Sequence, residues 1–74
     1  MDFKLSQEYQ IYKTIYAFHK KYFEVSCEDD YWSKCLKEAR EIDKKYDSKF
    51  CREMLAAVVL DLNLRATVMR NGND

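Results

Sequence analysis

The side chains best suited to acid–base or nucleophilic chemistry are the one histidine, His19, and the cysteines Cys27, Cys35 and Cys51. Helical periodicity places His19 and Asp43 on the apolar sides of two different helices, so a buried His19–Asp43 pair is one hypothesis. With a cysteine or serine nucleophile, such a pair would resemble a hydrolase triad. All three groups would then lie inside a small bundle, where a substrate has no room. A structural hydrogen bond, or a histidine at the core boundary, is the favoured interpretation, and we predict no catalytic residues and no enzyme.

A zinc site built from His19 and the three cysteines is the metal-binding alternative. No pair of cysteines has the CxxC spacing of common zinc sites, and their number is odd. We therefore expect reduced thiols that pack as small apolar side chains. The acidic run 28–30 fits the start of a helix, where negative charge is favourable. The chain also lacks a Gly-rich phosphate loop, an HExxH motif and an EF-hand loop. We predict no metal, no cofactor and no small-molecule substrate.

The elements that position these side chains are predicted to be helices. The 74 residues contain no proline and a single glycine, although turn-rich β folds draw on both residue types. Ser6 is a good N-cap, and Asp47-Ser48 forms a short turn that can cap a later helix. Apolar periodicity predicts helices over about 7–24, 30–46 and 49–70. We therefore predict a single all-α domain, 1–74, folded as an up-down-up three-helix bundle with short loops.

The overall charge and hydropathy exclude several classes of function. Thirteen basic and thirteen acidic residues cancel, whereas proteins that bind nucleic acid through phosphates usually carry a basic excess. No apolar run approaches the roughly 20 residues of a membrane span. The first residues lack the charged and apolar regions of a signal peptide. We expect a soluble cytoplasmic protein without a membrane partner.

The third predicted helix is apolar on two sides, which makes it the most informative segment. Cys51, Leu55, Val58 and Leu62 lie on the side assigned to the core. A second apolar side predicts a protein interface or a surface for self-association, formed by Leu60, Leu64, Val68, Ala57 and Phe50. The alternative is that the other two helices cover one side each. The wide apolar arc of the first helix adds Phe18, Tyr9 and Tyr16 as candidate aromatic anchors.

Nucleic-acid binding is the alternative function. Its surface would be the Lys-rich helix edges, Lys20-Lys21 together with Lys44-Lys45, and Arg52 and Arg70 would extend it. A helix-turn-helix role for the second and third helices is disfavoured, because the candidate recognition helix is the most hydrophobic in the chain.

Several short stretches resemble small uncharacterised helical proteins carried by phages and conjugative elements of Firmicutes. These stretches are YAFHKKYF at 16–23, DYW at 30–32, KKY at 44–46, FCR at 50–52 and MLAAV at 54–58. The resemblance covers about 9–62 and implies no activity and no catalytic residues. It implies a bacterial setting in which accessory proteins bind a host or element protein, as anti-CRISPR proteins do when they inhibit a defence system. The leading hypothesis is accordingly a non-enzymatic protein-binding module.

Overall fold

The computed structural model describes residues 2–71, and the side chains of residues 2–69. A short 3-10 turn, Phe3–Leu5, precedes the helices α1 (Gln7–Lys21), α2 (Asp29–Tyr46) and α3 (Lys49–Asn71). No strand occurs in this part of the chain. The predicted all-α three-helix bundle is therefore confirmed. In the same range, no helix is both long and apolar enough to cross a membrane.

Serine side chains cap two of the helices: Ser6, as predicted, and Ser48, one of the two caps predicted for the third helix. Ser6 Oγ accepts the backbone N–H of Tyr9 at 3.2 Å, and Ser48 Oγ accepts that of Cys51 at 3.3 Å. Each bond satisfies a backbone donor that the first turn of a helix leaves free. Asp47 closes the turn before α3 in the left-handed conformation, with φ 46°. Local polar chemistry therefore fixes both helix starts, as the sequence predicts.

The connection between α1 and α2 differs from its prediction. Helix α1 ends at Lys21 rather than near residue 24, because the backbone leaves the helix at Tyr22. The Tyr31 hydroxyl donates to the Tyr22 carbonyl, which satisfies a backbone acceptor at this helix end. The side chain before α2, Glu28, makes no capping hydrogen bond, and Asp29 and Asp30 occupy the first turn instead of capping it. Helix α2 therefore relies on favourable charge at its start.

Contacts between the helices establish the up-down-up order. The Gln7 side chain donates to the Tyr46 carbonyl, and Lys21 lies 3.3 Å from the Glu38 carboxylate, so α1 and α2 are antiparallel. Helices α1 and α3 run parallel. The Tyr12 ring in the first half of α1 contacts the Phe50 ring at the start of α3, and His19 near the end of α1 bonds Asp61 in the second half of α3. The core lies between all three helices and consists of Ile11, Ile15, Phe18, Tyr22, Cys35, Ala39, Ile42, Cys51, Leu55, Val58, Leu62 and Ala66.

Candidate protein-binding surface

Helix α3 presents a row of large aliphatic side chains to solvent. Leu60, Leu64 and Val68, which we term the α3 stripe, are 57%, 55% and 69% exposed. They follow one another at four-residue spacing, about one turn each. Ala57 precedes them and is also exposed. The alternative prediction, that α1 and α2 cover both apolar sides of α3, is wrong, because Leu60, Leu64 and Val68 remain more than half exposed.

The α3 stripe runs through a charge-poor part of the helix. Between Glu53 and Arg70 the only charged residues are Asp61 and Arg65. Arg65 Nε donates to Asp61 Oδ2 at 3.0 Å, and His19 Nε2 lies 2.8 Å from the same oxygen. Hydrogen bonds from His19 and then from Arg65 hold the pKa of Asp61 below its ordinary value. The carboxylate beside the α3 stripe is therefore engaged within the chain.

A groove between α2 and α3 borders the α3 stripe. One part of it is lined by Trp32, Leu36, Ala56, Val59, Leu60 and Asn63. A second part continues along α2 and is lined by Leu36, Ala39, Arg40, Asp43, Arg52, Leu55, Ala56 and Val59. We call both parts together the α2–α3 groove. Sequence reasoning missed it because two helices form the groove together, and periodicity along one helix does not show which side chains a neighbour leaves uncovered; Leu36, for example, is 42% exposed.

The other end of the α3 stripe meets the connection between α1 and α2. Leu64 and Val68 share a shallow hollow with Phe23 and Val25. The Arg65 guanidinium lies 4.0 Å from the centre of the Phe23 ring, within the range of a cation–π contact. Phe23 is nevertheless 46% exposed, so the apolar surface extends beyond α3. The interface prediction did not include this ring.

The three predicted aromatic anchors differ in their exposure. Phe18 is wrong as an anchor: it is 2% exposed and packs on the Tyr22 ring at 5.3 Å between centroids. Because α2 and α3 both flank α1, they cover the edge of the apolar arc on which Phe18 lies. Tyr16 is 69% exposed and stays available for contact.

Tyr9 and Phe50, also predicted at the interface, contact rings within the chain. Tyr9 stacks edge-on against Phe3 at 5.8 Å, and Phe50 against Tyr12 at 5.4 Å. Both are half-buried in this aromatic cluster at the start of α1. They therefore stabilise one end of the bundle and do not extend the α3 stripe.

The hypothesised His19–Asp43 pair does not form. His19 bonds Asp61 on α3, while Asp43 Oδ1 accepts Arg52 Nε at 3.1 Å. Asp43 lies on the edge of α2 that faces α3, so α3 supplies its partner. The triad-like alternative therefore lacks its His19–Asp43 pair.

The cysteines do not form a ligand or nucleophile cluster with His19. Cys35 and Cys51 are fully buried, and burial raises the pKa of both thiols, which disfavours the reactive thiolate. Cys27 is exposed on the connection between α1 and α2. No group of three or more potential ligands that could hold a metal ion occurs in the described part of the chain.

The lysines proposed for nucleic-acid binding lie at opposite ends of the bundle. Lys20 and Lys21 end α1, whereas Lys44 and Lys45 end the antiparallel α2, next to the start of α1. The length of α1 separates the two pairs by roughly 20 Å. They do not form one continuous patch.

The arginines do not join the two pairs of lysines. Arg52 is engaged by Asp43 and lies 3.6 Å from Asp47. The side chain of Arg70 lies outside the described residues.

No protein-family model, curated protein or solved structure matches this chain. The function is therefore inferred from the geometry of its own residues.

Proposed function

We propose that this chain is a non-enzymatic protein-binding module whose contact surface is the α3 stripe together with the α2–α3 groove. The observation that carries the proposal is the exposure of Leu60, Leu64 and Val68, each more than half exposed on consecutive turns of one helix. Contiguous exposed apolar surface of this kind commonly marks a site of protein–protein interaction. Complete burial of a fully exposed side chain of this size contributes roughly 1.5–3 kcal/mol, so covering these partly exposed residues favours association by a part of that amount each.

The charge distribution favours a protein partner over nucleic acid. Asp61 and Arg65, the charged side chains beside the α3 stripe, bond to each other. Because Arg65 is paired, the α3 stripe itself offers little to phosphates, whose neutralisation dominates nucleic-acid affinity. Lys20-Lys21 and Lys44-Lys45 lie at opposite ends of the bundle and form no continuous basic patch, which weakens the nucleic-acid alternative.

The spacing of the exposed side chains fits a helical partner. Ala57, Leu60, Leu64 and Val68 follow at intervals of three or four residues, the periodicity that pairs one helix with another. The resemblance to proteins of phages and conjugative elements adds a setting to this proposal. In that setting the chain acts in the bacterial cytoplasm and binds or inhibits a host protein, such as a component of a defence system.

A comparative capture experiment tests the proposal. Wild-type chain, the double variant Leu60→Glu/Leu64→Glu, and the control Lys37→Glu/Glu41→Lys are immobilised and exposed to the same bacterial lysate. The control alters exposed charges on α2 and leaves the chain's net charge unchanged. We expect a protein retained by the wild type and the control and lost by the double variant, with equal helicity by circular dichroism. Equal retention by all three, or unfolding of the double variant, would refute the proposal.

A further inference from the structure

The α2–α3 groove is lined mainly by apolar and small side chains. The small side chains Ala39 and Ala56 lie along its length, and Leu36 and Val59 flank them. Small residues let a neighbouring helix approach closely, because interaxial distance depends on the side chains at the contact. Trp32 lines the part of the groove nearer the start of α2. A helix laid in the groove would bury an apolar strip from Trp32 to Val59.

The part of the groove farther from Trp32 carries an uncompensated positive charge. Arg52 is paired with Asp43 and Asp47. Arg40, by contrast, makes no ion pair among the described residues, and its Nε donates to the Leu36 carbonyl of its own helix at 3.4 Å. The remaining guanidinium N–H groups of Arg40 can therefore take a carboxylate, which pairs well with the planar donor fork of arginine.

We propose that the α2–α3 groove binds an amphipathic helix of a partner protein that places an aspartate or glutamate opposite Arg40. This inference rests on the proposed protein-binding function and adds the chemistry of the partner. From Trp32 to Arg40 the groove follows α2 for roughly 12 Å, which corresponds to about two turns of a partner helix. The partner's apolar side chains then repeat at i, i+3 or i+4, and i+7, with its acidic residue at one end of this row.

Two peptides of about 18 residues test the charge preference. They share the same leucine and alanine positions on one helical face, and they differ only in glutamates or lysines in one terminal turn. Trp32 is the sole tryptophan of the chain and lines the groove, so its fluorescence reports occupancy. We expect the glutamate peptide to change the Trp32 emission and to bind about fivefold or more tightly than the lysine peptide.

Variants locate the effect in the groove. Arg40→Glu should reverse the preference between the two peptides. Ala56→Glu, which places a charged side chain in the groove, should weaken the affinity for both peptides by about tenfold. Ala17→Glu, at an exposed position of α1, should change neither affinity. Circular dichroism verifies that each variant is folded.

The outcomes separate this inference from the proposed function. Absence of a Trp32 response to either peptide, or a preference that Arg40→Glu does not alter, would overturn the acidic-helix proposal. So would a stable dimer that Ala56→Glu dissociates, because a second copy would then occupy the groove. If the Leu60→Glu/Leu64→Glu capture result stands in any of these cases, the protein-binding function is retained and only the partner's chemistry is wrong.

Discussion

His19 Nε2 lies 2.8 Å from Asp61 Oδ2, which joins the end of α1 to the second half of α3. The same oxygen accepts Arg65 Nε, so one carboxylate oxygen receives two basic side chains. Both partners are about a third exposed or more, and the network lies at the bundle surface. Because the Asp61 carboxylate is paired with these two side chains, the charges nearest Leu64 are engaged with one another, and the surface around Leu64 is mainly apolar.

The lowered pKa of Asp61 makes one contribution to stability dependent on pH. A carboxyl with a lower pKa in the folded state stabilises the fold above its ordinary pKa of 3.8, and this contribution disappears as pH falls through the lower folded-state pKa. We expect Asp61→Asn to have a lower Tm than the wild type at pH 6, with the difference shrinking below about pH 4. Glu24→Gln, an exposed control, should show no such trend. A Tm difference that persists unchanged at pH 2.5 would contradict the ion-pair account.

Leu60 and Leu62 should respond very differently to the same substitution. Leu62 is fully buried, and Leu62→Ala should lower the free energy of unfolding by about 2–5 kcal/mol through lost burial and a cavity. Leu60 is mostly exposed, and Leu60→Ala should change the free energy of unfolding by no more than about 0.5 kcal/mol. Urea unfolding followed by circular dichroism measures both values. Similar losses for the two variants would place Leu60 in the core and remove the α3 stripe.

Tyr31→Phe isolates the hydrogen bond that closes α1. The variant keeps the ring contacts of Tyr31 with Tyr22 and Trp32 but leaves the Tyr22 carbonyl without its hydroxyl donor. We expect a loss of about 1 kcal/mol, which lowers the Tm by about 4–8 °C in a domain of this size. Tyr16→Phe removes an exposed hydroxyl and should leave the Tm unchanged. Equal Tm values for the two variants would show that the Tyr31 hydroxyl contributes nothing.

The cysteines should separate by reactivity. Cys27 is exposed, whereas burial both shields Cys35 and Cys51 and raises their pKa. A thiol-reactive chromophore at pH 8 should therefore modify one thiol rapidly in the native protein and three in denaturant. Cys27→Ser should abolish the rapid phase. A rapid phase that survives this substitution would show that a buried cysteine is accessible.

Local sequence signals predicted the elements of the fold well. Ser6, and either Asp47 or Ser48, are predicted as caps because a short polar side chain before an apolar period can bond the free N–H groups of a first turn; Ser6 and Ser48 do so. Periodicity likewise placed Leu62 in the core and Leu60 on another side of the same helix. These inferences depend only on residues close together in the sequence.

The relative placement of helices could not be read from the same signals. Periodicity put His19 and Asp43 on apolar sides, but their partners depend on how each helix is rotated against α3. Phe18 lies at the edge of an apolar arc, and only the presence of helices on both sides decides that it is buried. The α2–α3 groove was missed for the same reason, since two helices together form it. The packing of the helices against one another therefore determines the partners of His19 and Asp43, the burial of Phe18 and the presence of the groove, and the pattern of a single helix does not contain this information.

Site-specific photo-crosslinking tests the central claim, that the α3 stripe is a contact surface, most directly. The photo-reactive amino acid p-benzoylphenylalanine replaces Leu64 on the α3 stripe or, as the control, Lys37 on the exposed face of α2. The protein retained in the capture experiment is then irradiated with each variant, and covalent products are identified by mass spectrometry. We expect a crosslink from position 64 and none from position 37. A crosslink from position 37 alone would contradict the account and place the partner on the charged face of α2.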